Sequence, residues 1–375
     1  MEEFIVSARK YRPQTFETVV GQKSITSTLK SAIKTNHLAQ SFLFCGSRGV
    51  GKTTTARILA KTVNCFNPTE DIEACDQCDS CLSFNEGASL NVYELDAASN
   101  NGVEDIRSLI DQVRIAPQIG TRKVYIIDEV HMLSSSAFNA FLKTLEEPPP
   151  HAIFILATTE KHKIIPTILS RCQIFDFNRI KVKDIADHLA NISVKEGIDA
   201  EAEALHLIGQ KADGALRDAL SIYDQIVSFA GNKITLAAVL ENLNILDYDY
   251  FFRIVESALK EDIPAAILLY NDIQERGFDG HNFVVGLADH YRNLLVCKDV
   301  RTAKLLEVGE SVENRYIEQA KILDSDYILR CLTVLSKTDV EYKASKNQRL
   351  LVELALMQLC SVKQELEKKK DSLTQ

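Results

Sequence analysis

The first half of the chain alternates short apolar runs with longer segments of helical periodicity. Apolar runs at residues 41–45, 91–95, 122–128, 152–157 and 173–177 predict five strands. One helix is predicted before the first strand, at 24–34. Three more are predicted between the strands, at 52–63, 103–113 and 134–147. Ser134 or a neighbouring serine can cap the last of these, and three prolines stop it. Strands that alternate with helices predict an α/β fold, a parallel sheet covered by helices on both faces.

The second half of the chain has helical patterns and few strand patterns. Residues 181–242 predict four short helices, and residues 243–365 predict further helices with breaks near 261 and at 275–280. Residues 350–357 are apolar almost all round, which predicts a buried helix that could lie between subunits. We therefore predict an α/β domain over 1–178, a small helical domain over 179–242, an all-α domain over 243–365 and a polar tail over 366–375.

Eight residues directly after the first predicted strand fit the phosphate-loop pattern G-x-x-x-x-G-K-[ST] at every fixed position. They are Gly46, Ser47, Arg48, Gly49, Val50, Gly51, Lys52 and Thr53. Glycines let the backbone wrap around a phosphate, and the N-terminus of the following helix attracts anions. Lys52 would reach the β- and γ-phosphates, and the Thr53 hydroxyl would ligate Mg²⁺. The alternative is a glycine-rich turn with an accidental Gly-Lys-Thr.

Polar residues also end two later strands. Asp128 closes the third predicted strand, where it would hold Mg²⁺, and Glu129 beside it could orient or deprotonate the attacking water. Thr158 and Thr159 close the fourth strand, where a hydroxyl would lie near the γ-phosphate. For Asp128 and Glu129 the alternative is a polar strand end at a turn. For Thr158 and Thr159 it is a capping or turn feature.

Length, composition and charge narrow the class of protein. The chain has 375 residues, 46% of them hydrophobic, which is ordinary for two to three globular domains. Its net charge of −9 argues against a surface coated for nucleic acid but leaves room for a local basic strip. No apolar stretch is long enough to span a bilayer, and the N-terminus lacks the layout of a secretion signal, so we expect a cytoplasmic protein with no membrane partner.

Four of the nine cysteines cluster with the spacing C-x9-C-x2-C-x2-C: Cys65, Cys75, Cys78 and Cys81. Four thiolates at this density suit tetrahedral Zn²⁺, and without a nearby histidine the site would be closed and structural. A redox pair or chance clustering are the alternatives. The other cysteines lie in apolar surroundings and are expected to be core thiols; they are Cys45, Cys172, Cys297, Cys331 and Cys360.

Two arginines are candidates for contact with a phosphate. Arg171 lies between a short predicted helix and the fifth strand, and Arg217 lies near the start of the helix predicted from Gly214 to Phe229. A single arginine is more often part of a surface salt bridge. An arginine that neutralises transition-state charge can nevertheless raise turnover by about 10³-fold or more.

Taken together, these motifs resemble the clamp-loader clade of the AAA+ ATPases. The resemblance is dense over residues 1–240 and weak beyond. It is carried by residues 8–16, 19–22, 46–53, 94–99, 128–133, 142–149, 157–159, 168–172 and 214–220, together with the four cysteines. It implies that residues 179–242 form a lid on the ATPase domain and residues 243–365 a collar that joins subunits.

The resemblance also implies roles for single residues. Lys52 and Thr53 match the Walker A residues, and Asp128 and Glu129 match the Walker B pair. Thr158 matches the sensor 1 position. Arg171 matches an arginine finger that acts on a neighbouring subunit, and Arg217 matches the sensor 2 arginine, which acts in its own subunit. The segment Tyr11–Pro13, with Val19 and Val20, matches the border of the adenine pocket. The four clustered cysteines match zinc ligands.

The activity implied by the resemblance is ATP-dependent loading of a sliding clamp onto primer–template DNA within a replicative polymerase assembly. The cofactors would be ATP, Mg²⁺ and structural Zn²⁺. The partners would be the sliding clamp, primed DNA, and the delta-type, delta-prime-type and like subunits of a hetero-oligomer. A DExH-type helicase and a non-hydrolysing scaffold with a vestigial ATP site are the competing hypotheses.

Overall fold

The computed structural model describes residues 5–118, 120–243, 246–303, 306, 308 and 310–373. The strands are β1 (Ser41–Cys45), β2 (Val92–Asp96), β3 (Lys123–Asp128), β4 (Ala152–Thr158), β5 (Gln173–Asp176), β6 (Asp199–Ala200) and β7 (Lys233–Ile234). The helices are α1 (Ser7–Lys10), α2 (Lys23–Lys34), α3 (Lys52–Asn64), α4 (Asp79–Asn85), α5 (Val103–Val113), α6 (Ser135–Glu146), α7 (Pro166–Leu169), α8 (Val182–Glu196), α9 (Ala202–Lys211), α10 (Leu216–Ala230), α11 (Leu236–Asn242), α12 (Tyr248–Leu259), α13 (Ile263–Glu275), α14 (Gly280–Val296), α15 (Val300–Ala303), α16 (Glu310–Ile322), α17 (Ser325–Tyr342) and α18 (Gln348–Leu373).

Packing divides the chain into two compact units. The first contains residues 1–198 and 208–228, and the second contains residues 199–207 and 229–375. The division into three domains that we predict from the sequence stays a prediction. None of the described helices combines the length and the apolar character needed to cross a bilayer.

The first unit is built on a parallel sheet with the strand order β2-β3-β4-β1-β5. Cys45 of β1 pairs with Thr158 of β4, and Asp96 of β2 pairs with Asp128 of β3. Because parallel strands run in one direction, their carboxyl ends meet at one edge of the sheet, where open α/β folds bind ligands.

Alternating strand residues form two separate cores, one on each face of this sheet. Leu43, Tyr125 and Phe154 pack with apolar residues of α5, α6 and α7. Their neighbours Phe44, Ile126 and Ile155 pack with residues of α2 and α3. The predicted parallel sheet with helices on both faces is therefore confirmed.

The predicted elements of this unit agree with the structure to within one or two residues. Ser134 caps α6 as expected, since its Oγ accepts a hydrogen bond from the Ala137 amide at 3.3 Å. The four helices predicted over 181–242, which belong partly to the second unit, correspond to α8, α9, α10 and α11. The sequence does not predict β6 and β7, which pair with each other in the second unit and have two residues each, too few for a recognisable pattern.

The second unit is mostly helical. Helices α12, α13, α14, α16, α17 and α18 bury a common core that includes Tyr291, Ile328 and Leu359. The helix predicted over residues 350–357 is present, but within this chain it is buried on one face only, and its burial between subunits stays a prediction. Val352 and Leu356 are buried, but Leu350 and Leu354 are 52% and 48% exposed, because only one face of α18 packs on this core. The predicted polar tail begins inside α18, and residues 374–375 lie outside the described part.

Candidate functional site

The phosphate loop lies between β1 and α3, at the carboxyl edge of the sheet. Three of its glycines have a positive φ, and at two of them a side chain would also clash with a neighbour. Gly46 has φ +148°, and a Cβ there would lie 2.6 Å from the Phe177 carbonyl oxygen. Gly49 has φ +76°, and its Cβ would lie 2.9 Å from the Ala215 Cβ. The loop can therefore take this shape only without side chains at these points.

Lys52 begins α3 and is 5% exposed. Its ammonium group donates hydrogen bonds to the carbonyl oxygens of Gly46 and Ser47, both at 2.8 Å. Burial lowers the pKa of Lys52, and the carboxylates of Glu129 and Asp128 oppose that shift. The loop thus surrounds the Lys52 ammonium group, which would stabilise an anionic phosphate bound there.

Thr53 and Asp128 come together at the strand edge. The Thr53 hydroxyl donates to Asp128 Oδ2 at 2.6 Å, and the Glu129 amide donates to Asp128 Oδ1 at 2.9 Å. Mg²⁺ prefers oxygen ligands, and beside phosphates a neighbouring hydroxyl and carboxylate supply them. The two residues predicted to hold Mg²⁺ are therefore in mutual contact.

Glu129 contacts Thr159, the residue directly after β4. Its Oε2 accepts hydrogen bonds from the Thr159 amide at 3.2 Å and from the Thr159 hydroxyl at 2.9 Å. Thr158 is fully buried, and its hydroxyl bonds His131 Nδ1 at 3.0 Å and the Glu160 amide at 3.0 Å. The contact to the predicted base is therefore made by Thr159, and the sensor role predicted for Thr158 stays a prediction.

His131 is a site residue to which sequence reasoning assigns no role. Its ring is held between Thr158 and Glu160, whose Oε2 lies 3.0 Å from Nε2, and its Nδ1 lies 3.4 Å from Glu129 Oε2. The only indication in the sequence is its place two residues after Glu129. The ring connects the end of β4 with the turn after β3, so it fixes the relative position of Glu129 and Thr158.

Arg12 belongs to the segment Tyr11–Pro13, which the family resemblance places at the border of the adenine pocket. Its Nε donates to the Thr54 hydroxyl at 3.3 Å. Burial lowers the pKa of Arg12, as does the charge of Arg57, while Glu94 and Asp128 act in the opposite direction. A half-buried guanidinium therefore lies beside the first turn of α3, where sequence spacing alone could not place it.

The other predicted nucleotide contacts lie around the loop. Val19 is buried, and its Cγ1 lies 3.9 Å from the position that a Cβ on Gly51 would take. Val20 is partly buried. Arg217 lies in the first turn of α10, and its Cβ is 3.5 Å from the position that a Cβ on Gly49 would take. Within the loop Val50 is buried and Arg48 is exposed.

The contacts of Arg171 are with residues outside the phosphate loop. Its guanidinium pairs with Glu146 and donates to the Thr167 carbonyl at 2.6 Å and to the Ser170 hydroxyl at 3.3 Å. None of these partners, all in the described part of the chain, belongs to the loop. Its predicted action on a neighbouring subunit stays a prediction.

The four clustered cysteines converge as their spacing predicts. The sulfur atoms of Cys65, Cys75, Cys78 and Cys81 all lie within 4.8 Å of one another. Tetrahedral zinc with Zn–S bonds of about 2.3 Å needs sulfurs about 3.8 Å apart. Hydrogen bonds from the backbone of Gln77 and Cys78 lower the pKa of Cys75 to about 6, whereas burial raises the pKa of Cys65 and of Cys81. The donor set fits a closed zinc site.

The strand order and the loop between β1 and α3 define the class of protein: a phosphate-loop ATPase domain of the AAA+ fold, followed by helical domains. Family models match three successive parts of the chain. They are "DNA polymerase III, delta subunit" over residues 21–181, "DNA polymerase III clamp loader subunit, ATPase lid domain" over 184–232 and "DNA polymerase III subunits gamma and tau domain III" over 234–375. The chain belongs to the DNA polymerase III gamma/tau subunit family.

Individual relatives are similar over most of this chain. The DNA polymerase III subunit tau of Bacillus subtilis is 40% identical over 94% of the chain, which spans 62% of that relative. The subunit gamma of Buchnera aphidicola subsp. Baizongia pistaciae is 35% identical over 94% of the chain and 96% of the relative. Among solved structures, Thermotoga maritima RuvB is 18% identical with a TM-score of 0.48, covering 66% of this chain and 78% of that one.

Proposed function

We propose that this chain is the ATP-hydrolysing subunit of a DNA polymerase III clamp loader, which loads a sliding clamp onto primed DNA at replication forks. The observation that carries the proposal is the contact between Thr53 and Asp128 beside the buried ammonium of Lys52. It joins the two motifs at the carboxyl edge of the sheet, in a chain that belongs to the gamma/tau family.

The proposed substrate is ATP bound with Mg²⁺. Loop amides and the N-terminus of α3 hold the phosphates, and Lys52 exchanges its bonds to Gly46 and Ser47 for bonds to phosphate oxygens. Thr53 and Asp128 would hold Mg²⁺, which neutralises charge on the phosphates. Glu129 orients the attacking water and accepts its proton.

Two arginines complete the proposed site. Arg217, next to Gly49, neutralises phosphate charge in its own subunit. Arg171 acts as a finger on ATP held by the neighbouring subunit, where it is worth about 10³-fold or more in turnover. A site built in this way is incomplete in an isolated subunit, so ATP hydrolysis depends on assembly.

The cysteine cluster is proposed to hold a structural zinc ion. Its four sulfurs lie close enough together to serve as the four ligands of one ion, which would leave no position for substrate or water. Zinc would fix the loop between α3 and α4, so it contributes to folding rather than to the reaction.

The proposed partners are the delta and delta-prime subunits, further copies of this chain, the sliding clamp and primer–template DNA. ATP binding opens the clamp and grips DNA, and hydrolysis releases both. A net charge of −9 is compatible with this role because DNA would touch only a narrow strip of the assembly.

The test is the ATPase rate of the chain assembled with delta and delta-prime subunits, measured with clamp and primed DNA added separately and together. We expect strong stimulation only when both are present. Glu129→Gln should abolish most of that turnover and leave ATP binding intact. Strand displacement without a clamp would favour a helicase instead, and turnover unchanged by Glu129→Gln would contradict the assigned base.

A further inference from the structure

A buried carboxylate lies inside the cysteine loop, between the first and second metal-ligand candidates. Glu73 is 8% exposed. Its Oε2 accepts a hydrogen bond from the Phe16 amide at 2.9 Å, and its Oε1 accepts one from the Glu17 amide at 3.1 Å. Lys30 of α2 pairs with Oε1 at 2.6 Å. Both oxygens are therefore used, and all their partners lie outside the cysteine loop.

The two amides bound by Glu73 belong to a segment that lies along the phosphate loop. Before them, Arg12 bonds the Thr54 hydroxyl on α3. After them, the side chain of Val19 lies beside Gly51, and Gln22 Nε2 donates to the Val50 carbonyl at 3.4 Å. Glu73 thus holds the middle of a segment whose two ends touch the nucleotide site.

The resemblance to clamp-loader ATPases implies that this segment borders the base of the nucleotide, and the side that it presents to the loop suits that role. Phosphates bind to the loop amides and to Lys52, whereas Val19 brings a buried apolar side chain next to the loop at Gly51. A purine ring is the apolar part of ATP and needs such a surface. Displacing the Phe16–Glu17 backbone would move Val19, which is two residues further along.

The position of Glu73 depends on the cysteine loop. No helix or strand is formed between Asn64 and Asp79, a fully described stretch. Ile72 has φ +59°, a conformation that β-branched residues rarely adopt, and the Glu73 amide donates to Thr69 Oγ1 at 3.1 Å. A second ion pair joins the loop to α3, where the buried Lys61 contacts Asp76. The convergent thiols of Cys65 and Cys75 constrain the stretch further.

We propose that Glu73 is a positioning residue for nucleotide binding, and that metal held by the cysteine cluster sets the affinity for ATP through it. The proposal rests on the proposed nucleotide site. It gives the cysteine loop a consequence beyond its own folding: the loop fixes the segment at residues 12–22, which flanks the base side of the phosphate loop.

The test compares Glu73→Gln with Glu70→Gln, an exposed residue of the same loop. Affinities for Mg²⁺–ATP and for Mg²⁺–tripolyphosphate are measured by calorimetry, and zinc content by metal analysis. Glu73→Gln removes a charge-assisted contact, so we expect about tenfold weaker ATP binding. Tripolyphosphate binding and zinc content should stay at wild-type levels, and Glu70→Gln should match the wild type in all three.

A second variant covers the case in which Glu73→Gln disturbs the cysteine loop. Lys30→Met removes the ion pair from α2 and should weaken ATP binding in the same selective way while zinc content is unchanged. Removal of zinc from the wild type should reproduce the loss. Equal ATP affinity in Glu73→Gln and Glu70→Gln, or parallel losses for ATP and tripolyphosphate, would overturn the proposal. A wild type that binds neither ligand would instead refute the nucleotide site itself.

Discussion

Thr53 and Asp128 are 75 residues apart in the sequence, yet hydroxyl and carboxylate are 2.6 Å apart in the structure. The pairing of strands fixes this contact, because β1 and β3 both flank β4 and end at the same edge of the sheet. Residues that act through one bound ion act as a unit. Their mutations should therefore not add.

The first prediction is a double-mutant cycle on this pair. Thr53→Val and Asp128→Asn should each lower ATP turnover by about a hundredfold, and the double variant should lose little more. Steady-state turnover is measured across a range of Mg²⁺ concentrations, where partial recovery at high Mg²⁺ identifies the metal.

Thr55→Val is the matched control, since it makes the same chemical change two residues later. The Thr55 hydroxyl is buried and has no hydrogen-bond partner among the described residues, so its removal should not lower turnover. Fully additive losses for Thr53 and Asp128 would contradict a shared metal ion.

His290 makes the stability of the second unit dependent on pH. It is 1% exposed, and its ring bonds the Tyr316 hydroxyl at 2.9 Å and Gln319 Oε1 at 3.1 Å. Burial lowers the pKa of His290 to about 4. The folded state therefore keeps the ring neutral while the unfolded state takes up a proton below the ordinary pKa of about 6.5.

The second prediction follows from that difference. Stability is fully present above pH 6.5 and is lost as pH falls towards 4, by up to about 3 kcal/mol. Because the chain has no tryptophan, hydrogen exchange of α14 and α17 peptides is the suitable probe. His290→Gln should flatten the pH dependence between 6.5 and 4, whatever its effect at pH 7. An unchanged slope in that variant would assign the effect to other groups.

At the scale of elements, sequence pattern is most informative where a buried strand or an amphipathic helix is long enough to repeat. The runs that became β1, β3 and β4 are apolar on both faces, and this pattern predicts a parallel sheet. Strand order is not readable in the same way, because it depends on which faces pack. The two-residue strands β6 and β7 carry no period at all.

In the candidate site, too, some residues can be predicted from local sequence pattern and others cannot. Lys52 and Asp128 are recognisable because loop and strand end each have a local pattern. Glu73 is not, since its importance comes from a contact with the Phe16 amide that only tertiary packing creates. The segment of Arg12 is recognisable, but its contact with Thr54 is not. Cysteine spacing is an intermediate case: it predicts that the thiols converge but not what the loop between them touches.

The third prediction concerns the cysteine loop as an element. The purified chain should retain about one zinc ion after dialysis, since four thiolates form a closed site. Cys75→Ser should lose that zinc and loosen the loop, measured by metal analysis and by proteolysis of residues 65–81. Cys172→Ser is the control because Cys172 lies outside the cluster. Zinc absent from the wild type, or retained in full by Cys75→Ser, would contradict the site.

At the scale of the whole molecule, the distribution of catalytic groups decides whether one chain can hydrolyse ATP without a neighbour. Lys52, Thr53 and Asp128 converge within one chain, whereas the Arg171 guanidinium is bound to Glu146 and to Thr167. If Arg171 serves a neighbour, a subunit that lacks it still binds ATP. A subunit that lacks Lys52 still offers its arginine.

The last prediction is complementation between two inactive variants. Lys52→Ala and Arg171→Ala should each reduce turnover of an assembly by about 10³-fold. Mixing them should restore part of the activity, because each Arg171→Ala subunit with a Lys52→Ala neighbour has an intact loop and receives an intact arginine. As a control, Arg171→Ala mixed with the double variant K52A/R171A has no arginine to offer and should stay inactive. Co-purification of differently tagged subunits confirms that mixed assemblies form. Mixed assemblies that form but remain inactive would show that Arg171 acts within its own chain, and the proposed dependence of hydrolysis on a neighbour would then be lost.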